Sequence, residues 1–240
     1  MGIIAKPLSY LLTWLYSLIG DYGIAIIILT VVVKLCLYTV YAKQIKSTMK
    51  MSEFQPKIQA IQQKYANDRA MMNEKLTEFY KEEGVSMYGG CLPMIVQMVV
   101  IMGLFALLRD PMTYLTSNSD MIFATHESFL WIKDLAQPDK WILPIAAAIA
   151  TFVSFTLSQQ SMAGGANAQQ TAAMTKTMKY FFPIMILWMA RSYPAGLALY
   201  WFGSQVIQIF YNMRFNSWRK KAREEKEARE AKNRKRSARA

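Results

Sequence analysis

Apolar residues in this chain are gathered in blocks of about 20, separated by shorter polar segments. Such blocks are long enough to cross the roughly 30 Å hydrocarbon core of a bilayer as helices. A soluble domain would spread the same residues over short periodic runs. The pattern therefore predicts an all-α integral membrane protein with five transmembrane helices, at 21–42, 88–109, 141–160, 175–192 and 195–213.

The fourth block is the shortest. Its uncharged part, 180–190, has 11 residues, which cover roughly 17 Å as a helix. Snorkelling of Lys176 and Lys179 would extend it, and a locally thinned bilayer is the other interpretation that stays open.

Two further segments carry helical patterns. Residues 1–20 form a short apolar stretch broken by polar residues, with Trp14 and several tyrosines, which predicts an amphipathic helix lying in the membrane interface. The stretch has no small-residue cleavage site, so a cleaved signal peptide is not expected. Segment 43–87 interleaves charges of both signs with apolar residues. It predicts an antiparallel helical hairpin, with Asp68 capping the second helix and Pro56 breaking the first.

Basic residues alternate onto one side of the predicted spans. Segments 43–87, 161–179 and 214–240 hold 22 of the 28 lysines and arginines, whereas 111–140 carries two lysines against four acids. Cytoplasmic loops carry the excess of basic residues in membrane proteins. We therefore expect an extracytoplasmic N-terminus and loop 110–140, a cytoplasmic hairpin and loop 161–174, and a cytoplasmic C-terminal tail.

One charge interrupts the first block. Lys34 lies seven to nine residues from its cytoplasmic end, roughly 10–13 Å by helix rise, and a lysine at a helix centre costs about 2.5–3.5 kcal/mol by the lowest scales. Apart from Asp21 at the outer end of the first block, the five blocks contain no Asp or Glu. Two interpretations are open for Lys34: its ammonium snorkels to the cytoplasmic surface, or it faces a hydrated groove. The depth of Lys34 in the block favours the groove.

The other blocks also carry polar residues, which at helical spacing form a polar stripe on one face of each long block. Interhelical hydrogen bonding by Ser, Thr and Gln is one interpretation, and a shared hydrated cavity is the other. The candidate residues are Thr30, Lys34 and Tyr38 on the first block, Gln97 on the second, Thr151, Ser154, Ser158 and Gln159 on the third, and Trp201, Ser204, Gln205, Gln208 and Asn212 on the fifth.

The tail 214–240 is strongly basic, with twelve basic and four acidic residues. Such a run binds ribosomal RNA or anionic lipid, although membrane orientation alone also accounts for it. The candidate contacts are Arg219, Lys220, Lys221, Arg234, Lys235 and Arg236.

Three stretches, FQPKIQAIQQKY, EFYKEEGVSMYGGCLPMIVQM and FFPIMILWMARSYPAGLALYWFGSQ, resemble the YidC/Oxa/Alb family of membrane protein insertases. The resemblance runs from about residue 20 to 215 and is nearest to the short Gram-positive type. It implies insertion of nascent membrane proteins, alone or beside the Sec translocon, without a cofactor. We further expect a multi-pass protein of the bacterial cytoplasmic membrane that works as a monomer, with the ribosome as a partner through the tail and the cytoplasmic loops.

The resemblance also implies a hydrophilic groove, closed on the outside and open to cytosol and lipid. Lys34 falls where many members of the family carry a groove arginine. Gln97, Gln159 and Trp201 match its polar or aromatic groove positions.

Three other classes are weighed against this one. A small-solute transporter shares the central charge, but the chain has no intramembrane acid and no inverted repeat. An enzyme or metalloprotein is not expected, because His126 is the only histidine and no nucleophile–base pair is evident. A passive chaperone that folds segments inserted by Sec stays open.

Overall fold

The computed structural model describes residues 2–84, 92–109, 111–114, 119–159 and 168–237. Within these ranges the regular structure is helical and no strand forms, so the all-α prediction is confirmed. The helices are α1 (Gly2–Ile19), α2 (Tyr22–Cys36), α3 (Tyr38–Lys64), α4 (Arg69–Glu82), α5 (Leu92–Arg109), α6 (Pro111–Tyr114), α7 (Ser119–Ala124), α8 (Ile142–Gln159), α9 (Ala168–Ala190) and α10 (Ala195–Ser237).

The length and apolarity of the helices bear on whether they could cross a membrane. Taken one at a time, the helices in the described ranges all fall short of the length and apolarity needed to cross a membrane. The five spans stay a prediction.

Helix α10 lies at the centre of the bundle. It packs against α2 on one side and α8 on the other, while α9 packs on α8 and α1 packs on α2 and α5. A Cβ at Gly203 would lie 3.6 Å from Thr30, and farther along both helices Tyr211 contacts Lys34. Because these contacts follow the same order along α2 as along α10, the two helices run parallel.

Segment 125–140 closes the end of the bundle where α2, α8 and α10 begin. The first N–H groups of a helix have no partner within it, and here this segment supplies acceptors to three helices. The bonds run from Tyr22 N–H to Glu127 Oε2 (2.8 Å), from Leu143 N–H to Asp139 Oδ2 (2.7 Å), from Ala195 N–H to Gln137 O (2.9 Å) and from Gly196 N–H to Leu135 O (3.0 Å).

An apolar core lies beneath this cap, and buried polar residues follow it along α2, α8 and α10. The core includes Ile26, Leu29, Leu104, Leu107, Leu135, Leu143 and Ala198. The buried polar residues are Thr30, Lys34, Thr151, Ser154, Ser204, Gln205 and Asn212. On these three helices the buried polar side chains thus lie farther from the capped end than the apolar core does.

The first predicted block consists of α2 and the beginning of α3. The two helices meet at Leu37, which keeps right-handed angles (φ −82°, ψ −6°) and donates its N–H to Val33 O at 3.0 Å. The chain therefore continues in nearly helical form through the joint.

Helices α3 and α4 form an antiparallel hairpin. Phe54 packs edge-on against Phe79 at 5.5 Å, and Lys57 pairs with Glu83 at 3.0 Å. The predicted cap is confirmed, because Asp68 Oδ1 accepts from the Met71 N–H at 3.0 Å.

The predicted break at Pro56 is wrong, because α3 runs through it without interruption. A proline inside a helix costs about 3 kcal/mol. Here contacts to α4 hold α3 on both sides of it, through Phe54 before the proline and Lys57 after it.

The predicted last span and the tail are one element. Helix α10 has 43 residues, about 65 Å at the usual rise, and no loop separates its bundle part from residues 214–237.

Candidate functional site

Lys34 is enclosed near the joint between α2 and α3. Its side chain is 1% exposed, and its Nζ lies 5.3 Å from the centroid of the Tyr41 ring. An ammonium at this distance from an aromatic face is attracted by the ring quadrupole, more strongly where water is excluded. The cost of burying the charge is therefore offset in part by the ring.

Tyr211 of α10 contacts the same site. Its hydroxyl donates to the backbone oxygen of Lys34 at 3.3 Å, one of the last-turn carbonyls of α2 that lack partners within their helix. Its ring packs edge-on against Tyr38 at 5.4 Å and lies 6.2 Å from Tyr41. We call Tyr38, Tyr41 and Tyr211 the aromatic enclosure of Lys34.

The predicted stripe on the first block lies on one face. Thr30 and Lys34 are both buried, and Tyr38 is half-buried against α10. The Thr30 hydroxyl donates to Ile26 O at 2.7 Å within its own helix.

Polar residues of the third and fifth blocks form interhelical hydrogen bonds. Trp201 Nε1–H donates to Thr151 Oγ1 (3.0 Å), and Asn212 Nδ2–H donates to Ser154 O (3.1 Å). A third bond joins Asn216 to Leu157 O at 3.1 Å. For Trp201 and Asn212 these contacts agree with the interpretation as interhelical hydrogen bonding.

Gln205 and Gln208 lie on the same helix. Gln205 is buried, and Gln208 donates through Nε2 to Asn212 Oδ1 at 3.3 Å. Within the described ranges, the buried Oε1 of Gln208 has no donor. A buried amide oxygen without a hydrogen bond costs free energy. A polar group that donates a hydrogen bond to this oxygen would therefore be stabilised at this stretch of α10.

The remaining predicted residues are only partly described. Lys220 and Lys221 are exposed on α10. The side chains of six others lie outside the described part of the chain: Gln97, Gln159, Arg219, Arg234, Lys235 and Arg236.

Sequence reasoning missed two members of the enclosure. Tyr41 follows Lys34 by seven residues and continues the spacing of Thr30, Lys34 and Tyr38, so the helical period was sufficient to find it. Tyr211 has no comparable signal, because its contact with Lys34 joins residues 177 positions apart.

Comparisons with known proteins assign the family. Residues 14–223 match the family model described as 60Kd inner membrane protein. A membrane protein insertase YidC of Fusobacterium nucleatum is 38% identical over 209 residues, covering 87% of this chain and 92% of the relative. Membrane protein insertase YidC 1 of Lactococcus lactis is 39% identical over 198 residues, covering 81% of this chain and 68% of the relative.

A solved structure agrees with the sequence relatives. An active YidC insertase, with its first transmembrane domain resolved, superimposes with a TM-score of 0.60 at 29% identity. The match covers 88% of this chain and 45% of that one, so the chain spans less than half of the solved protein. The chain belongs to the 60Kd inner membrane protein family, the family of the YidC membrane protein insertases.

Proposed function

We propose that this protein inserts client transmembrane segments into the bacterial cytoplasmic membrane, using the charge of Lys34 to receive the client's polar end. The observation that carries the proposal is the position of Lys34, a buried ammonium beneath an apolar, capped end of the bundle. The relatives in Fusobacterium nucleatum and Lactococcus lactis are membrane protein insertases, which supports the same function.

Exposed apolar side chains support embedding in lipid. On three helices they recur every three or four residues and form stripes that would be costly in water. The stripes comprise Ile24, Ile27, Val31 and Leu35 of α2, Ile142, Ile145, Ile149 and Val153 of α8, and Phe181, Ile184 and Trp188 of α9. We propose five membrane-spanning segments with the N-terminus outside and the tail in the cytoplasm.

Access to Lys34 requires a movement of the enclosure. Because Lys34 is 1% exposed, an acidic group reaches it only after the ring of Tyr41 or Tyr211 swings away. A charge in a partly desolvated site attracts an opposite charge more strongly than one in bulk water. Return of the aromatic rings then favours release, so the interaction is transient.

The client's apolar segment follows a separate route. We propose that it moves along the lipid-facing sides of the first and fifth spans while its short extracytoplasmic end passes through the polar region of the bundle. Transfer of the apolar helix into lipid is itself favourable. The step therefore needs no cofactor and no covalent chemistry.

The hairpin and the basic tail are the proposed cytoplasmic contacts. Lys220 and Lys221 are exposed on the extension of α10, which suits binding to the ribosome or to anionic lipid. Cooperation with the Sec translocon and activity as a monomer complete the proposal.

Charge variants at Lys34 test the electrostatic role. In cells depleted of their own insertase, Lys34→Arg is expected to support insertion of a single-span client with an acidic N-terminal tail. Lys34→Ala is expected to reduce insertion and Lys34→Glu to abolish it. Lys43→Glu, which changes an exposed lysine near the same helix joint, serves as the matched control and retains activity.

Two outcomes would reject the proposal. Insertion by Lys34→Glu at the level of the unaltered protein would exclude an attraction between Lys34 and the client's acid. In proteoliposomes, solute flux without client insertion would point to the small-solute transporter instead.

A further inference from the structure

A tight turn in the capping segment carries two exposed apolar residues. Phe129 and Ile132 exchange backbone hydrogen bonds of 2.8 and 2.9 Å, which leaves Leu130 and Trp131 as a two-residue turn. Leu130 has φ +53°, a left-handed conformation that favours glycine or asparagine because a Cβ crowds the following carbonyl. The turn therefore keeps a leucine where leucine is unfavourable.

Leu130 and Trp131, the tip of the turn, do not pack in the core, so no buried contact offsets the unfavourable backbone conformation. Leu130 is 75% exposed and Trp131 is 47% exposed. The turn itself is firmly held, because Ile132 is buried and the Phe129 ring lies on Gly23, where any Cβ would clash with it. The rigid turn thus presents two large apolar side chains at the surface.

The neighbours of the turn indicate what covers it. Trp131 Nε1–H donates to Asp139 Oδ2 at 3.3 Å, and the same oxygen caps α8. Trp141, immediately before α8, is 54% exposed and lies 4.0 Å below the guanidinium of Arg191. The exposed stripe of α8 begins at the next residue, Ile142. The tip is therefore continuous with a surface proposed to face lipid.

We propose that Leu130 and Trp131 insert into the membrane interface at the end of the bundle where α2, α8 and α10 begin. An indole with a satisfied N–H and an exposed ring suits the boundary between headgroups and acyl chains. A protein partner is disfavoured because the tip continues into the exposed stripe of α8 that is proposed to face lipid. The proposal rests on the membrane embedding proposed above and not on client insertion.

The anchor has a consequence for the proposed site. Segment 125–140 is hydrogen-bonded to the first turns of α2, α8 and α10. Fixing its tip at the interface fixes the depth of all three helices, and with them the depth of Lys34.

A nitroxide spin label at position 130 tests the anchor. Leu130→Cys is prepared with Cys36→Ser and Cys91→Ser, labelled and reconstituted into liposomes of phosphatidylethanolamine and phosphatidylglycerol. Collision rates with oxygen, which concentrates in lipid, are compared with those of a water-soluble nickel chelate. Lys133→Cys, exposed on the same segment, is the matched control.

The label at 130 is expected to collide with oxygen more often than with nickel, and the label at 133 the reverse. Equal nickel access at both positions would place the turn in water and overturn the proposal. Shielding of position 130 from both reagents would mean that protein covers it, which also overturns the proposal. The measurement uses no client, so a failure of client insertion leaves its result unchanged.

Discussion

At the level of single residues, Glu127 joins two helices to the cap. Its carboxylate accepts from the Tyr16 hydroxyl of α1 and from the Tyr22 N–H that begins α2. The hydrogen bond to this carboxylate is the main cause that raises the pKa of Tyr16 to about 12, because it favours the protonated hydroxyl. Glu127 therefore ties α1 to the bundle as long as Tyr16 keeps its proton.

Removing this hydroxyl gives a pH-dependent test. Tyr16→Phe is expected to lower the free energy of unfolding by about 1 kcal/mol near neutral pH, the usual value of such a bond at a partly exposed site. The Tyr16 pKa is higher in the folded protein than the value of about 10 in an unfolded chain. The contribution is therefore complete below pH 10 and is lost as the pH rises towards 12. Unfolding in detergent, followed by circular dichroism, measures it.

The expected signature is a difference between the two proteins that shrinks between pH 10 and 12. Tyr10→Phe, an exposed tyrosine on the same helix, controls for the general effect of alkaline pH and is expected to match the unaltered protein. A deficit in Tyr16→Phe that persists unchanged at pH 12 would show that it does not come from the hydrogen bond of the protonated hydroxyl to Glu127.

The residues of the candidate site differ in how far they could be predicted. Lys34 and Thr30 were found because a charge and a hydroxyl in an apolar block stand out and share a helical face. Glu127 was counted only as part of the charge balance of its loop. Its two hydrogen bonds reach back 105 and 111 positions along the chain, and no local pattern reports such contacts.

At the level of the elements, the hairpin shows where local signals suffice. Asp68 after Ala66 and Asn67 predicts a cap, and the geometry of a cap depends only on the next three residues. The break predicted at Pro56 also rests on local sequence alone. Helix α3 nevertheless continues, because contacts of Phe54 and Lys57 with the α4 side of the hairpin hold it before and after the proline. Local chemistry thus determines helix ends well and helix interruptions less well.

Replacing the cap tests the hairpin directly. Asp68→Ala is expected to lose the bond to the Met71 N–H and to destabilise the first turn of α4 by about 1 kcal/mol. Amide hydrogen exchange at Met71 should then be about fivefold faster. Asp68→Asn keeps an acceptor and should restore slow exchange.

Asn67→Ala is the matched control, because it removes an exposed side chain from the same turn and should change exchange little. Equal exchange at Met71 in Asp68→Ala and in the unaltered protein would show that packing of α4 on α3, and not the cap, fixes the beginning of the helix.

At the level of the whole molecule, the two ends of the bundle differ. Near the capped end α2, α8 and α10 bury mainly apolar side chains, whereas the buried polar residues of these three helices lie farther along them. The sequence predicted the polar stripes one helix at a time. Which polar residues bond to each other, as Trp201 with Thr151 does, depends on the packing of parallel helices that are distant in sequence.

Water should therefore enter the bundle from the tail side only. Gln205 and Ala198 are both buried on α10, two helical turns or about 10 Å apart, and differ mainly in their surroundings. In a background of Cys36→Ser and Cys91→Ser, Gln205→Cys is expected to react with a membrane-impermeant maleimide added from the tail side, and Ala198→Cys to stay protected. Because both positions are equally enclosed by protein, a difference in reaction rate reports water in the polar region. Equal protection of both cysteines would mean that the polar side chains bind the helices together in a dry core, and that Lys34 receives no client there.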